Sequence, residues 1–320
     1  QPDRAAGRGR RLVPPPVKVA AGALGIEVLQ PRGMRRENET VVRLRDLGAD
    51  VFVLAAFGQI LRRHVLEIPP HGVLGVHASL LPRWRGAAPV AAAILAGDQE
   101  TGVTLMRTDE GMDTGDIIAQ RALPIAPDDT TGTLTDRLAH LGAGLVIDTL
   151  SAWIAGEISP RPQDEALATF APQLEKGQGR IDWAQPAETI ARQVRAYNPW
   201  PVAHTTWQGR LLRILAAKPI AGPEDAPDPG AAPGTVVEMP GGVAVVCGRG
   251  LLALREVQAE GKRAMDAGAF ARGQRFDARL ARTPFDVRRN DRERPSFFAS
   301  SSCVMRSALR RFRILIPRPL

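Results

Sequence analysis

Residues 72–89 read GVLGVHASLLPRWRGAAP, and how this run folds decides the architecture. Its apolar opening, 72–78, predicts a strand, and 87–96 predicts a helix, with Pro89 tolerable only in the first turn. Between them lies a loop carrying Ser79, Pro82, Arg83, Trp84 and Arg85. His77 stands near the carboxyl end of the strand, the edge at which open α/β sheets bind ligands. Working outward, 50–56 (DVFVLAA) is a short apolar run of the kind buried on both faces of a parallel sheet. A helix is predicted over 37–47, with Val41, Val42, Leu44 and Leu47 near helical spacing. Residues 101–107 and 116–122 read as two more strands, and 132–155 as a long helix with a candidate break at Gly142. Strands alternating with helices make an α/β sheet with right-handed crossovers.

The pattern changes after the polar, Pro-containing stretch 157–182 and a helix over 187–196. Short strands at 202–207, 211–217, 234–239, 242–247 and 251–257 alternate with Gly and Pro turns, which predicts a small barrel of OB type. A short helix within 261–273 closes it. The opening 1–18, rich in Arg, Gly and Pro, predicts no regular element. Residues 284–320 show no period and read as a disordered tail.

A lone histidine at a strand end is more often structural than catalytic, and TDEGMDTGD (108–116) taken alone is a solvated turn. Together they place an imidazole and the carboxylates Asp109, Glu110, Asp113 and Asp116 on loops of one sheet, an acid–base arrangement. The chain has 320 residues, enough for two ordinary domains, with 44% hydrophobic and 24% charged residues. No apolar run approaches the roughly 20 residues of a membrane-spanning helix. Without a leader-like segment, a cytoplasmic protein is expected. Cys247 and Cys303 are too few for a disulfide framework and lack metal-ligand spacing. The net charge of +8 sits at the ends: residues 1–12 carry +3 and 284–320 carry +6, which leaves −1 for 13–283.

HASLLPRWRGAAP (77–89), TGVTLMRTDEGMDTGDII (101–118) and YNPWP (197–201) resemble the methionyl-tRNA formyltransferase family. The resemblance runs to about residue 280. The first run is highly specific, whereas the DEGMDTGDI part alone marks the wider folate-dependent formyltransferases. It implies a Rossmann-like formyltransferase domain over 1–156, a linker over 157–186 and an OB-like tRNA-binding domain over 187–283. It also implies formyl transfer from 10-formyltetrahydrofolate, without a metal, to the α-amino group of methionyl initiator tRNA. His77 and Asp113 match the family's catalytic pair. Ser79, Leu80, Leu81 and Pro82 match its folate-contacting stretch, and Glu110, Gly111, Met112 and Thr114 would lie beside the pterin. QPDRAAGRGRR (1–11) looks like the basic loop that grips the acceptor stem, with Arg4, Arg8, Arg10 and Arg11 on phosphates. A monomer without an obligate protein partner is the family expectation.

Two departures stand out. The family pattern is Asn-x-His on one strand face, and Gly75 occupies the Asn position, so one oxyanion donor is missing. The chain also opens inside the basic loop, which implies that the first βαβ unit is missing and predicts a gap beside the His77 strand. Two other readings follow: an RNA-binding remnant without catalysis, favoured by Gly75, and a sugar-nucleotide formyltransferase, disfavoured by PRWRGAAP and by the C-terminal barrel.

Overall fold

The computed structural model describes residues 2–6, 11–36, 38–220, 231–240 and 242–273. Arg8, Arg10 and the 284–320 tail lie outside the described residues. Regular structure begins inside the basic opening, where strands β1 (Arg4–Ala6) and β2 (Arg11–Val13) pair antiparallel, Arg4 opposite Val13. This corrects the expectation of no regular element there: Gly and Pro disfavour long elements, but two three-residue strands satisfy each other's backbone. Helix α1 (Pro16–Ala23) starts directly after the proline run, because a proline at the first helical position forfeits no helical hydrogen bond.

Helix α2 (Glu39–Asp46) is capped by Asn38, whose side chain accepts from Val41 N–H at 3.1 Å. Then come β3 (Phe52–Ala55), α3 (Arg63–Leu66), β4 (Val73–His77), the two-residue β5 (Arg85–Gly86) and α4 (Pro89–Ala96). Strands β6 (Glu100–Arg107) and β7 (Ile117–Pro124) and helix α5 (Thr131–Ile154) complete the first layer. The sheet order is β3-β4-β6-β7. Only β3 and β4 run parallel; β4–β6 and β6–β7 are antiparallel, so the sheet is mixed rather than parallel. An antiparallel neighbour needs no crossover, so the short loop 108–116 suffices between β6 and β7.

Three further expectations are corrected here. β3 is not buried on both faces: it ends the sheet among the described residues, its burial alternates, and Val53 is 45% exposed. No gap opens beside β4, since Phe52–Ala55 pairs it on one side and Thr104–Arg107 on the other. Helix α5 also continues unbroken through Gly142. A Cβ there would stand 3.0 Å from Val76 Cγ1 and 3.4 Å from Val103 Cγ1, so the glycine lets the helix lie close on β4 and β6. The facing core gathers Leu74, Val103, Leu105, Ile118, Leu134 and Leu138.

Residues 157–186, read as a linker, carry β8 (Phe170–Ala171), which pairs parallel with β5. They also carry Trp183, fully buried in the second core. Helix α6 (Ala187–Ala196) leads into β9 (His204–Trp207), β10 (Arg210–Ile220), β11 (Val236–Met239), β12 (Gly242–Val246), β13 (Leu251–Ala259), β14 (Met265–Asp266) and α7 (Ala267–Arg272). The order β11-β12-β13-β10-β9, with β14 on β13, is a curled antiparallel half-barrel, with no β9–β11 ladder among the described residues. Register shifts between Ile214 and Ala217 bend β10 across β13 and supply the curl. Cys247 is buried in this core, and burial pushes its thiol up to about 12, so it is a packing residue and not a nucleophile. No described helix is long and apolar enough to cross a membrane.

His204 on β9 gives this half-barrel a pH dependence. Burial holds its imidazole below the ordinary histidine range, and Arg213, Lys176 and Arg180 push the same way against a hydrogen bond to the Val202 carbonyl. A depressed folded value means stability that is complete above the unfolded value of about 6.5 and lost as pH falls through the window beneath it. The guanidinium unfolding midpoint should therefore drop between pH 7.5 and pH 5, and drop less in His204→Gln. Equal drops in both proteins would remove His204 from the account.

Candidate active site

The loop after β4 is pinned from beneath. The Thr104 hydroxyl donates to the Ser79 carbonyl at 2.7 Å and accepts from Leu81 N–H at 3.0 Å, while Gln120 Nε2 donates to the Leu81 carbonyl at 2.9 Å. Ser79 is fully buried and its hydroxyl donates to the Arg83 carbonyl at 2.5 Å. Leu81 packs with Met106 and Ile117, and Leu80 lies against Gly102. Of the stretch expected to meet folate, the Ser79 and Leu81 side chains thus build the loop itself. Leu80, Pro82 and the backbone are left to meet a ligand.

The tip of the loop is fixed by Asp98, which takes Arg83 Nη2 at 2.6 Å, Arg83 Nε at 3.0 Å and Trp84 Nε1 at 2.8 Å. The Arg83 guanidinium lies 4.4 Å from the centre of the Trp84 ring. Trp84 is thereby held in a left-handed backbone conformation with its carbonyl 2.9 Å from His77 Nε2. A carbonyl can only accept, so this contact assigns the proton to Nε2 and leaves Nδ1 as the ring's exchangeable position. Nδ1 faces Asp113 Oδ2 at 3.5 Å, and His77 itself is 8% exposed. The two residues singled out in the sequence therefore meet.

Asp113 arrives on the 108–116 loop. Asp109 ties that loop together, accepting from Gly111 N–H at 3.0 Å and from the Thr114 hydroxyl at 2.8 Å. Gly115 is required where the chain turns back, since a Cβ would stand 1.8 Å from the Arg107 carbonyl. Glu110, Gly111 and Met112 form an exposed rim, and Thr114 is half-buried. Asp113 is left-handed (φ 57°), and its Oδ2 accepts from Gly86 N–H at 2.8 Å.

Three residues that the sequence did not flag complete the site. Arg85, 1% exposed, donates through Nε (3.0 Å) and Nη2 (2.9 Å) to Gln163 Oε1 and through Nη1 (2.8 Å) and Nη2 (2.7 Å) to Glu165. Gln163 Nε2 in turn donates to the carbonyls of Asp113 (2.9 Å) and Gly115 (2.7 Å). The pairing holds the Glu165 carboxyl below its usual range and the guanidinium above its own. The available signal was Arg85 itself: an arginine in the largely apolar WRGAAP run needs an acceptor from elsewhere in the chain.

Gly75 shares the β4 face with His77. A Cβ at this position would stand 2.9 Å from Thr108 Oγ1 and 3.0 Å from Met106 Cε, both movable side-chain ends. Arg4 and Arg11 lie in β1 and β2.

Comparison with known proteins places this geometry. Residues 1–150 match the formyl transferase family and residues 173–275 the formyl transferase C-terminal domain. Over 277 residues the chain is 51% identical to the methionyl-tRNA formyltransferase of Roseiflexus sp. (strain RS-1), a match covering 86% of this chain and 83% of that one. The chain belongs to the methionyl-tRNA formyltransferase family. A second member, from Chloroflexus aggregans, is 52% identical over 275 residues, 85% of this chain and 87% of its own. Among solved structures, HypX from Aquifex aeolicus in complex with tetrahydrofolic acid superposes with a TM-score of 0.55 at 21% identity, over 72% of this chain and 40% of that longer one. An N-formyltransferase from Helicobacter canadensis, in complex with folinic acid and dTDP-3-aminofucose, gives 0.54 at 19% identity, over 73% of this chain and 80% of its own. At these identities the two structures show the fold alone.

Within this family, Gly75→Asn should raise kcat for formyl transfer by about 10- to 1000-fold, the effect of regaining one oxyanion donor. Admitting it requires Thr108 Oγ1 and Met106 Cε to shift, since a Cβ would stand 2.9 and 3.0 Å from them. Steady-state formylation of Met-tRNA measures this. An unchanged kcat would show that another group already supplies the donor.

Proposed function

We propose that the chain transfers the formyl group of 10-formyltetrahydrofolate to the α-amino group of methionyl initiator tRNA, in the cytoplasm and as a monomer. The observation that carries this reading is half-identity along most of the chain to methionyl-tRNA formyltransferases, joined to a His–Asp pair at the carboxyl end of β4. In the transfer a C–N bond forms between the amine and the formyl carbon, and the bond from that carbon to the folate nitrogen breaks. The amine gives up a proton and the departing nitrogen takes one. His77 Nδ1 is the position that can relay it, because Nε2 is committed to the Trp84 carbonyl. When Nδ1 is protonated, the Asp113 carboxylate stabilises the charge; when it is not, the Nε2–H bond to the Trp84 carbonyl alone sets the ring plane. The donor substrate would lie between Leu80–Pro82 and the rim formed by Glu110, Gly111 and Met112, with Thr114 behind it. Arg4, Arg8, Arg10 and Arg11 would hold acceptor-stem phosphates, which position RNA without reading its bases.

The test is a formylation assay on the full chain with 10-formyltetrahydrofolate and either initiator Met-tRNA or a dTDP-linked amino sugar as acceptor. Formyl-methionyl-tRNA should form and the sugar should not react. His77→Gln and Asp113→Asn should each lower kcat by at least about 100-fold, the usual range for a lost acid–base group. Formylation of the sugar alone would overturn the choice of acceptor. tRNA binding with no formyl product would leave an RNA-binding protein in place of an enzyme.

A further inference from the structure

We propose that Gln163 is a positioning residue for formyl transfer, its carboxamide holding Asp113 in the left-handed backbone conformation that presents the carboxylate to His77. The inference rests on the reading of His77 and Asp113 as the catalytic pair. A non-glycine residue seldom adopts this conformation unless its surroundings impose it. At Asp113 (φ 57°) the imposing contacts are visible on both sides of the residue. Behind it, the two amide protons of Gln163 Nε2 go one each to the Asp113 and Gly115 carbonyls, at 2.9 and 2.7 Å, so a single side chain spans the turn. In front of it, the carboxylate lands on Gly86 N–H at 2.8 Å.

The other end of the same carboxamide is held as firmly. Gln163 Oε1 accepts from Arg85 Nε and Nη2, and the Arg85 guanidinium is itself fixed by Glu165. Because Gly86 follows Arg85 in the chain, the contacts close a ring: Arg85 side chain, Gln163 side chain, Asp113 backbone, Asp113 carboxylate, Gly86 backbone. The ring needs, at position 163, two donors at one end of a short side chain and an acceptor beside them. A carboxamide supplies that set, whereas glutamate lacks the donors and lysine the acceptor. Residue identity at 163 is therefore a chemical requirement of the site, although Gln163 touches no reacting atom.

The experiment compares Gln163→Glu with the native chain. The substitution keeps the acceptor for Arg85 and removes both donors to the 113–115 turn. In its crystal structure Asp113 should leave the left-handed region and Oδ2 should separate from Gly86 N. Its kcat should fall by about 10- to 100-fold, the scale of a misplacement near 1 Å, with KM for both substrates within about twofold. In an Asp113→Ala background the same change should cost nothing further, since a residue acting through Asp113 has nothing left to act on. If Gln163→Glu does not fold, Gln163→Met, which removes both sets of bonds at similar size, is measured in the same way. An Asp113 that keeps its conformation, or kcat losses that multiply in the double variant, would overturn the proposal. Should His77→Gln and Asp113→Asn prove harmless to turnover, the catalytic reading fails instead, and the crystal structure still decides whether Gln163 holds the turn.

Discussion

Arg85 carries a full positive charge at a position with 1% exposure, and a guanidinium out of water must have its donors met. Among the described residues no side-chain acceptor for it lies on its own loop. Gln163 and Glu165, roughly eighty residues further along the chain, supply the acceptors. Meeting that one requirement draws the 161–171 stretch across the loop after β4, beside the point where Phe170 and Ala171 pair with Arg85 and Gly86. It also determines which way Gln163 points, and through Gln163 the conformation of Asp113. The Asp113 carboxylate is thus placed by a buried charge on another loop rather than by its own exposed, glycine-containing segment.

The imidazole is held by an independent set of contacts. Thr104 and Gln120 anchor the start of the loop on β6 and β7, Asp98 clamps Arg83 and Trp84 at its tip, and the Trp84 carbonyl then fixes His77. Two frames, one for each member of the pair, meet between Nδ1 and Oδ2 at 3.5 Å, slightly beyond hydrogen-bond length. A proton arriving at Nδ1 would face the Asp113 carboxylate across this near-contact. The half-barrel has its own core around Trp183, Ile190, Ile214 and Leu252, and α6 joins it to the first core through Ala196.

Much of the pair was legible in the sequence because local chemistry fixes it. A strand ending at His77, a helix opening at Pro89 and an Asp–Gly loop after a buried strand follow from apolar runs, proline and glycine. What escaped the sequence depends on partners distant along the chain. Strand β6 is buried on both faces like a parallel strand, because α5 and the neighbouring loops cover an antiparallel one equally well. The RPQDE run at 161–165 is polar and reads as connection, yet its glutamine and second acid answer the need of Arg85. At Ser79 the structure adds what the family resemblance does not: its hydroxyl closes the loop on Arg83. At Gly75 the sequence registers a missing donor, and the structure adds that a Cβ there would stand 2.9 Å from Thr108 Oγ1 and 3.0 Å from Met106 Cε.

The central claim is that the Trp84 carbonyl orients the His77 ring by holding the proton on Nε2 and leaves Nδ1, facing Asp113, for the proton in transit. Nitrogen-15 correlation spectra of the histidine rings, with His77 identified by the signal lost in His77→Gln, test it directly. The account predicts that the neutral ring carries its proton on Nε2, bonded to the Trp84 carbonyl, with Nδ1 unprotonated. A neutral ring protonated on Nδ1 would contradict it, because Nδ1 could then no longer accept the proton and Nε2 would set its lone pair against a carbonyl oxygen.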